Sequence, residues 1–177
     1  MGAHHCICFE DLSEDAISQR IDIFDPNLIV CRRNFFDKVN NAVKKSEKKN
    51  LKVIPIESNY EEDPNLDSIK GFYNENSNLF SLFTSGSTGL PKAITHGVKN
   101  YLRYAKFSTS YFFGIKKGSV FFTAVDAGWI NGHTYAFYGP LLLGAISVIN
   151  ENPISLSVPK ILCKYLVETK TNCFYTS

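Results

Sequence analysis

The segment from Thr84 to Lys92, with the sequence TSGSTGLPK, concentrates residue types that bind phosphate. Glycines allow backbone N–H groups to approach an anion, hydroxyl side chains add donors, and a lysine supplies a positive charge. The alternative is a flexible Ser/Gly surface loop, but such a loop has no reason to end in Pro91 and Lys92 or to follow an apolar strand directly. The composition therefore favours a loop that holds a polyphosphate.

The Walker A loop of P-loop NTPases is the nearest competing interpretation, because it also combines glycine amides with a lysine. It requires the pattern G-x-x-x-x-G-K-[ST]. Here Leu90 and Pro91 separate the second glycine from Lys92, and Ala93 stands where Walker A places a hydroxyl residue. An ordinary P-loop NTPase is the weaker interpretation.

Other residues with chemical potential have simpler structural explanations when they are considered in isolation. Trp129 is the single tryptophan, and a residue of this type is more often part of a core than a ligand contact. For His133 a structural role and a site role stay equally open. The four potential metal ligands His4, His5, Cys6 and Cys8 are adjacent along one strand, where neighbours point to opposite faces, and no second cluster completes a tetrahedral site. We predict no metal site.

Predicted strands and helices alternate along the chain, and these elements must position the residues named above. Apolar runs predict strands at 28–31, 53–56, 79–83, 120–123, 145–149 and 173–175. Helical periodicity predicts helices at 13–24, from about Phe35 to the following lysines, at 98–112 and at 158–168. Residues 57–78 are polar and predict a surface connection. The pattern indicates an α/β fold with a parallel sheet that has helices on both faces.

Composition restricts the partners of the chain. Its 177 residues, 44% of them hydrophobic, suffice for a core, and the formal net charge of +2 gives no electrostatic footprint for nucleic acid or an anionic membrane. The five cysteines lack the spacing of a disulfide framework, and the N-terminus does not resemble a signal peptide. No apolar run approaches the roughly 20 residues that span a membrane. These features predict a reduced, cytoplasmic protein.

The phosphate-binding segment resembles the signature T-S-G-[ST]-[ST]-G-x-P-K-G of adenylate-forming enzymes, with Ala93 in place of the last glycine. Residues 124–135, AVDAGWINGHTY, resemble the stretch A-D-V-G-W-V-T-G-H-S-Y of AMP-forming acyl-CoA synthetases of the acetyl-CoA and propionyl-CoA type. Residues 2–21 and 172–176 are similar to further segments of the same family. The resemblance implies that residues 1–177 are a partial AMP-binding domain, an interior piece of the large N-terminal domain of such an enzyme.

Family membership would imply a two-step ligase. ATP and a small carboxylic acid give an acyl-adenylate and pyrophosphate, and CoA as co-substrate then attacks the adenylate, with Mg²⁺ accompanying the phosphates. The resemblance assigns the ATP phosphates to Thr84, Ser85, Gly86, Ser87, Thr88, Gly89 and Lys92. It assigns the acyl and CoA pocket to Trp129, Ile130, Asn131, Gly132 and His133. It also matches His96 to a family histidine for which packing is at least as good an explanation as catalysis.

Several parts of the family pattern are not found in these residues. The adenine segment, the ribose-binding aspartate and the C-terminal domain with the adenylation lysine are absent, so we assign no catalytic residue and expect these 177 residues alone to be inactive. Arg32 and Arg33 stand where the family has a longer arginine-bearing loop for CoA phosphates. Two other hypotheses stay open: the chain is a stand-alone phosphate-binding module, or it is the inert product of a decayed gene. If it is a piece of a ligase, the remainder of that enzyme would be a further partner.

Overall fold

The computed structural model describes residues 2–56, 74–85, 90–150 and 159–176. The chain forms two compact units, residues 1–96 and 97–177. Within the described residues no helix combines the length and the apolar character that crossing a membrane requires.

A two-stranded parallel sheet with two helices forms one part of the first unit. Strand β2 (Leu28–Arg32) pairs with β3 (Lys52–Ile56), and a short 3₁₀ turn (Arg33–Phe35) leads from β2 into helix α2 (Phe36–Lys45). Helix α1 (Glu14–Phe24) begins where the Ser13 hydroxyl accepts a hydrogen bond from the N–H of Ala16 at 3.2 Å. The two helices pack together around a small apolar core, made of Ile17, Ile21, Ala42 and Val43.

The second sheet of this unit contains β1 (His5–Cys6), β4 (Asn78–Thr84) and β5 (Lys92–Gly97), with β4 in the centre. β1 runs parallel to β4. Two contacts show that β5 runs the opposite way: Ser81 meets Thr95 at 2.7 Å, and Thr84 meets Lys92 at 3.5 Å. β5 was not predicted from the sequence, because its alternation of polar and small residues carries little hydrophobic signal.

The second unit is built on a parallel sheet in the order β7 (Ile146–Val148), β6 (Val120–Thr123) and β8 (Cys173–Tyr175). Its helices include α3 (Val98–Phe113) and α6 (Pro159–Glu168). Around the buried Phe121, the rings of Phe113, Tyr135 and Tyr175 meet one another edge to face at 4.9 to 5.3 Å between centroids. This aromatic cluster anchors the end of the chain to the body of the unit.

The predicted α/β fold with parallel strands is confirmed, although its strands are divided among three sheets in the described residues. Most predicted elements agree with the structure to within one or two residues. Of the predicted polar connection, 57–73 lies outside the described residues, while residues 74–77 form a turn that leads into β4. The helical segment that follows Trp129 was not predicted from the sequence.

Candidate functional site

The candidate phosphate loop follows β4, the most buried strand of the first unit. Phe80, Ser81 and Leu82 in the middle of β4 are buried, whereas Thr84 and Ser85 emerge to solvent. The chain returns at Lys92, which is exposed, and the Thr84 hydroxyl donates to the carbonyl oxygen of Lys92 at 3.5 Å. Gly86, Ser87, Thr88 and Gly89 lie outside the described residues. Both ends of the loop thus meet at one edge of the sheet, with the lysine accessible there.

A hydrogen-bond chain centred on the buried Ser81 joins β4 to β5 and to the residue that precedes β1. The Ser81 hydroxyl lies 2.9 Å from the Nε2 atom of His4 and 2.7 Å from the Thr95 hydroxyl. His96, at the end of β5, stacks on Phe80 at 4.8 Å between centroids, and burial lowers the pKa of His96. These contacts favour a packing role for His96. The Ser81 chain was missed from the sequence because it joins residues that are far apart along it.

The second candidate segment forms a continuous run of short helical pieces in the second unit. Trp129 precedes helix α4 (Ile130–Gly132), which leads into a π-helical turn (His133–Tyr138) and helix α5 (Gly139–Leu142). The side chain of Trp129 is 61% exposed, so the core position expected for an isolated tryptophan is wrong. Ile130 is 38% exposed beside it. π-helical turns are frequent at functional sites, because the wider turn displaces side chains from the regular helix register.

Buried contacts fix the residues that follow Trp129. His133 is 1% exposed, and its Nδ1 donates to the carbonyl oxygen of Trp129 at 3.2 Å. Asn131 donates from its amide to the hydroxyl of Tyr175 at 3.2 Å. His133 therefore has a structural hydrogen bond, and the orientation of the Asn131 amide is set by Tyr175 of β8.

Hydrogen bonds of Tyr101 and Thr134 connect the segment after Trp129 to helix α3. The Thr134 hydroxyl donates to the carbonyl oxygen of Ile130 at 2.7 Å, and the Tyr101 hydroxyl lies 2.6 Å from the same Thr134 oxygen. Because the one Thr134 proton is directed to Ile130, Tyr101 is the donor to Thr134. Burial raises the pKa of Tyr101, which keeps this donor protonated. The hydrogen bond between Tyr101 and Thr134 was missed from the sequence, because these residues are far apart along it.

Two glycines in the segment permit close backbone approach. A Cβ atom on Gly132 would lie 2.1 Å from the carbonyl oxygen of Asp126, and one on Gly139 would lie 1.9 Å from the Thr109 hydroxyl oxygen. The turn before Trp129 is held by the Asp126 carboxylate, which accepts from the N–H of Gly128 at 2.7 Å. The position of Trp129 and Ile130 thus depends on the absence of a side chain at Gly132.

The arginines suggested for CoA phosphates both have partners within the first unit. Arg32 pairs with Glu10 at 3.2 Å, and the Arg33 guanidinium lies over the ring of Phe36 at 5.5 Å from its centroid. In the part of the chain that the structure describes, no three His, Cys, Asp or Glu side chains are grouped to hold a metal ion. The candidate phosphate loop belongs to the first unit, and the segment from Trp129 to His133 belongs to the second.

The sequence of the chain is similar to those of AMP-binding enzymes and acetyl-coenzyme A synthetases. A family model described as "AMP-binding enzyme" matches residues 1–177. Acetyl-coenzyme A synthetase 2 of Candida albicans is 56% identical over 73 residues, which are 41% of this chain and 11% of that protein. Acetyl-coenzyme A synthetase of Helicobacter pylori strain G27 is 31% identical over 206 aligned positions, which cover 100% of this chain and 31% of that protein.

Solved structures share the fold. A Brucella canis acyl-CoA synthetase superposes with a TM-score of 0.73 at 21% identity, covering 99% of this chain and 33% of the other. The anthranilate CoA ligase AuaEII in complex with anthranoyl-AMP also gives 0.73, at 16% identity, covering 95% of this chain and 34% of the other. The chain spans about a third or less of the length of each of these proteins.

Proposed function

The chain belongs to the AMP-binding enzyme family, and from this premise we propose that it acts within an ATP-dependent ligase that joins a short-chain carboxylic acid to CoA. In the first step the carboxylate oxygen attacks the α-phosphorus of ATP, and pyrophosphate leaves. In the second step the CoA thiol attacks the acyl-adenylate carbonyl, and AMP leaves. The names of the acetyl-coenzyme A synthetases to which the chain is similar support acetate as the acid. Propionate is included because residues 124–135 resemble the acetyl-CoA and propionyl-CoA type.

The single observation that carries the proposal is the placement of the hydroxyl-rich loop. It begins at Thr84 and Ser85, where a buried strand reaches solvent, and closes at an exposed Lys92. Such an edge allows a polyphosphate to approach without displacing the core. We assign the β- and γ-phosphates of ATP to Thr84, Ser85, Gly86, Ser87, Thr88, Gly89 and Lys92.

Mg²⁺ fits this arrangement as a companion of the phosphates. Magnesium is commonly held through substrate phosphates and water with only one or two carboxylates from the protein. At the loop the described residues offer hydroxyl and lysine groups, which suits a metal carried by the nucleotide. When bound, the ion would neutralise phosphate charge; the chain's own part is to orient the phosphates through the loop.

The acyl and CoA pocket is assigned to Trp129, Ile130, Asn131, Gly132 and His133. The exposed faces of Trp129 and Ile130 supply an apolar surface for a short acyl chain, and the buried His133 and Gly132 hold that surface in place. Asn131, fixed by Tyr175, presents a polar group beside it. We place the reaction in the cytoplasm, a setting supported by five free cysteines, all of them in the described part of the chain.

Calorimetric titration with pyrophosphate and with ATP tests the phosphate assignment. We expect weak binding by the chain and a loss of about 5- to 30-fold for Lys92→Ala, since removing one charge facing a polyanion across solvent costs about 1 to 2 kcal/mol. Lys44→Ala removes an exposed lysine from helix α2 in the same unit and is the matched control. Equal losses in the two variants would show a nonspecific response to charge and refute the assignment.

A second titration tests the acyl assignment by using the single tryptophan as a reporter. Non-hydrolysable analogues of acetyl- and propionyl-adenylate should change the fluorescence of Trp129 more than AMP does, because only they carry an acyl group to its exposed face. An identical response to AMP and to both analogues would contradict the placement of the acyl chain there.

A further inference from the structure

Two contacts define the register of β4 against β5 in the first unit. The Ser81 hydroxyl lies 2.7 Å from the Thr95 hydroxyl. Three residues nearer the loop on both strands, the Thr84 hydroxyl donates to the carbonyl oxygen of Lys92 at 3.5 Å. Both contacts therefore belong to one antiparallel register, in which Thr84 stands opposite Lys92. These two residues are the ends of the candidate phosphate loop, so the register decides how the ends are placed.

The hydrophobic pattern of β5 is too weak to set this register by itself. A register is strongly specified where one face of a strand is buried, because a slip by one residue moves every side chain to the other face. None of the six residues of β5, all of which the structure describes, is buried, and Ile94 is 48% exposed. His96 stacks on Phe80 on one face of the pair. On the other face, the hydrogen bond from Ser81 to Thr95 supplies a directional contact that a slipped register would lack.

Ser81 is held from both neighbouring strands. It is 1% exposed, and its hydroxyl lies 2.9 Å from the Nε2 atom of His4, on the side away from Thr95. His4 directly precedes β1, and its ring meets that of Phe24 in helix α1 edge to face at 4.9 Å. A slip of β5 would take Thr95 away and leave a buried hydroxyl with one partner fewer, which is unfavourable. Burial thus favours the observed register over a slipped one.

From these contacts we propose that Ser81 is a positioning residue: bound between Thr95 and His4, it fixes β5 against β4 and holds the two ends of the candidate phosphate loop opposite each other. Ser81 is buried three residues before the end of β4, about 10 Å along the strand, so it acts through the loop ends and not on the phosphates. The phosphate role of the loop ends rests on the proposed function, whereas the register does not.

Hydrogen exchange of backbone amides, measured on the chain without ligand, tests the register directly. Thr95→Val replaces the hydroxyl with a methyl group of similar size, and Thr95→Ser is the matched variant that keeps a hydroxyl. In Thr95→Val the protected amides among residues 82–84 and 92–94 should exchange at least about fivefold faster than in the native chain, because losing one hydrogen bond eases local opening. Thr95→Ser should exchange like the native chain. Unchanged exchange in Thr95→Val, or equal acceleration in both variants, would overturn the proposal.

Amides in the core between helices α1 and α2, such as those of Ile21 and Val43, show whether the first unit stays folded in each variant. Their exchange should not change, because Thr95 is exposed on a strand that lies at the edge of its sheet. If these amides accelerate in Thr95→Val as much as those of the hairpin, the hydroxyl supports the whole unit and the specific role in the register is refuted.

Pyrophosphate separates this proposal from the proposed function. Calorimetry first shows whether the native chain binds it, and no binding would refute the phosphate assignment while the two variants still decide the register. If pyrophosphate binds, ten times its dissociation constant should slow exchange of the hairpin amides about tenfold, since only the observed register would present both loop ends to it. Binding that leaves the exchange of residues 82–84 and 92–94 unchanged would show that the register does not serve the phosphates, and would contradict the positioning role.

Discussion

Gly132→Ala should destabilise the second unit, although helix propensity alone predicts the opposite. Gly132 has helical dihedral angles, φ −63° and ψ −49°, which alanine adopts without strain. In a helix interior alanine is favoured over glycine by about 1 kcal/mol. The reason for a glycine here is space rather than backbone conformation, because the site of its missing Cβ is filled by the turn at Asp126 and Ala127.

The magnitude follows from the distances in that turn. A Cβ on Gly132 would lie 2.1 Å from the Asp126 carbonyl oxygen, 2.7 Å from the Asp126 carbonyl carbon and 2.8 Å from the Ala127 Cα atom. All three atoms belong to the backbone, so no side chain can rotate away. Forcing an extra carbon into a packed site costs about 1 to 3 kcal/mol. We expect a loss near the upper end, because the turn also carries the hydrogen bond from the N–H of Trp129 to Asp126.

Urea unfolding followed by tryptophan fluorescence measures this loss, since Trp129 is the single tryptophan and adjoins the altered turn. Gly114→Ala is the matched control: Gly114 has a positive φ of 64° and nothing within 4 Å of its Cβ position, so it reports backbone strain without a clash. That strain costs about 1 to 2 kcal/mol. A Gly132→Ala variant as stable as the native chain, or more so, would refute the packing described around Trp129.

Two further predictions concern single contacts. Tyr101→Phe removes the donor to the Thr134 oxygen and should reduce the free energy of unfolding of the second unit by about 1 to 2 kcal/mol in the same fluorescence assay, and no change would show that this hydrogen bond adds nothing. In the first unit, hydrogen bonds from Lys45 and Asn41 hold the pKa of Glu14 below its usual 4.5. Its contribution to stability is therefore present above pH 4.5 and is lost as the pH falls through the lowered pKa. Far-ultraviolet circular dichroism of urea unfolding between pH 5 and pH 3 should show a smaller loss of stability for Glu14→Gln than for the native chain, and parallel curves would contradict the assignment.

Elements with a strong hydrophobic pattern were predictable from the sequence. Strand 120–123 and strand 173–175 were predicted with their observed ends, because each is a short apolar run between turn residues. Strand β5 was missed, since the sequence KAITHG owes its extended form to pairing with β4 rather than to its own composition. The π-helical turn was missed as well, because its stability comes from contacts with α3 and from the fit at Gly132 and Gly139.

In the candidate site, the contiguous site residues were predictable from the sequence, but the distant residues that support them were not. The loop residues and the segment from Trp129 to His133 are contiguous, so their residue types and a family resemblance suffice to single them out. The residues that hold them are distant along the chain: Ser81 is bound by His4, Asn131 by Tyr175, and Thr134 by Tyr101. Sequence spacing carries no signal for such pairs, since only the fold brings them together.

Mapping backbone amide shifts during a pyrophosphate titration tests the central claim most directly. If the loop holds phosphates, the largest shifts will fall on residues 84–92, and the Lys92→Ala variant will lose them while the Lys44→Ala control keeps them. Shifts that are largest instead around Arg20, Arg32 and Lys38, which line a cavity in the same unit, would show that the anion binds there and would contradict the assignment of the loop.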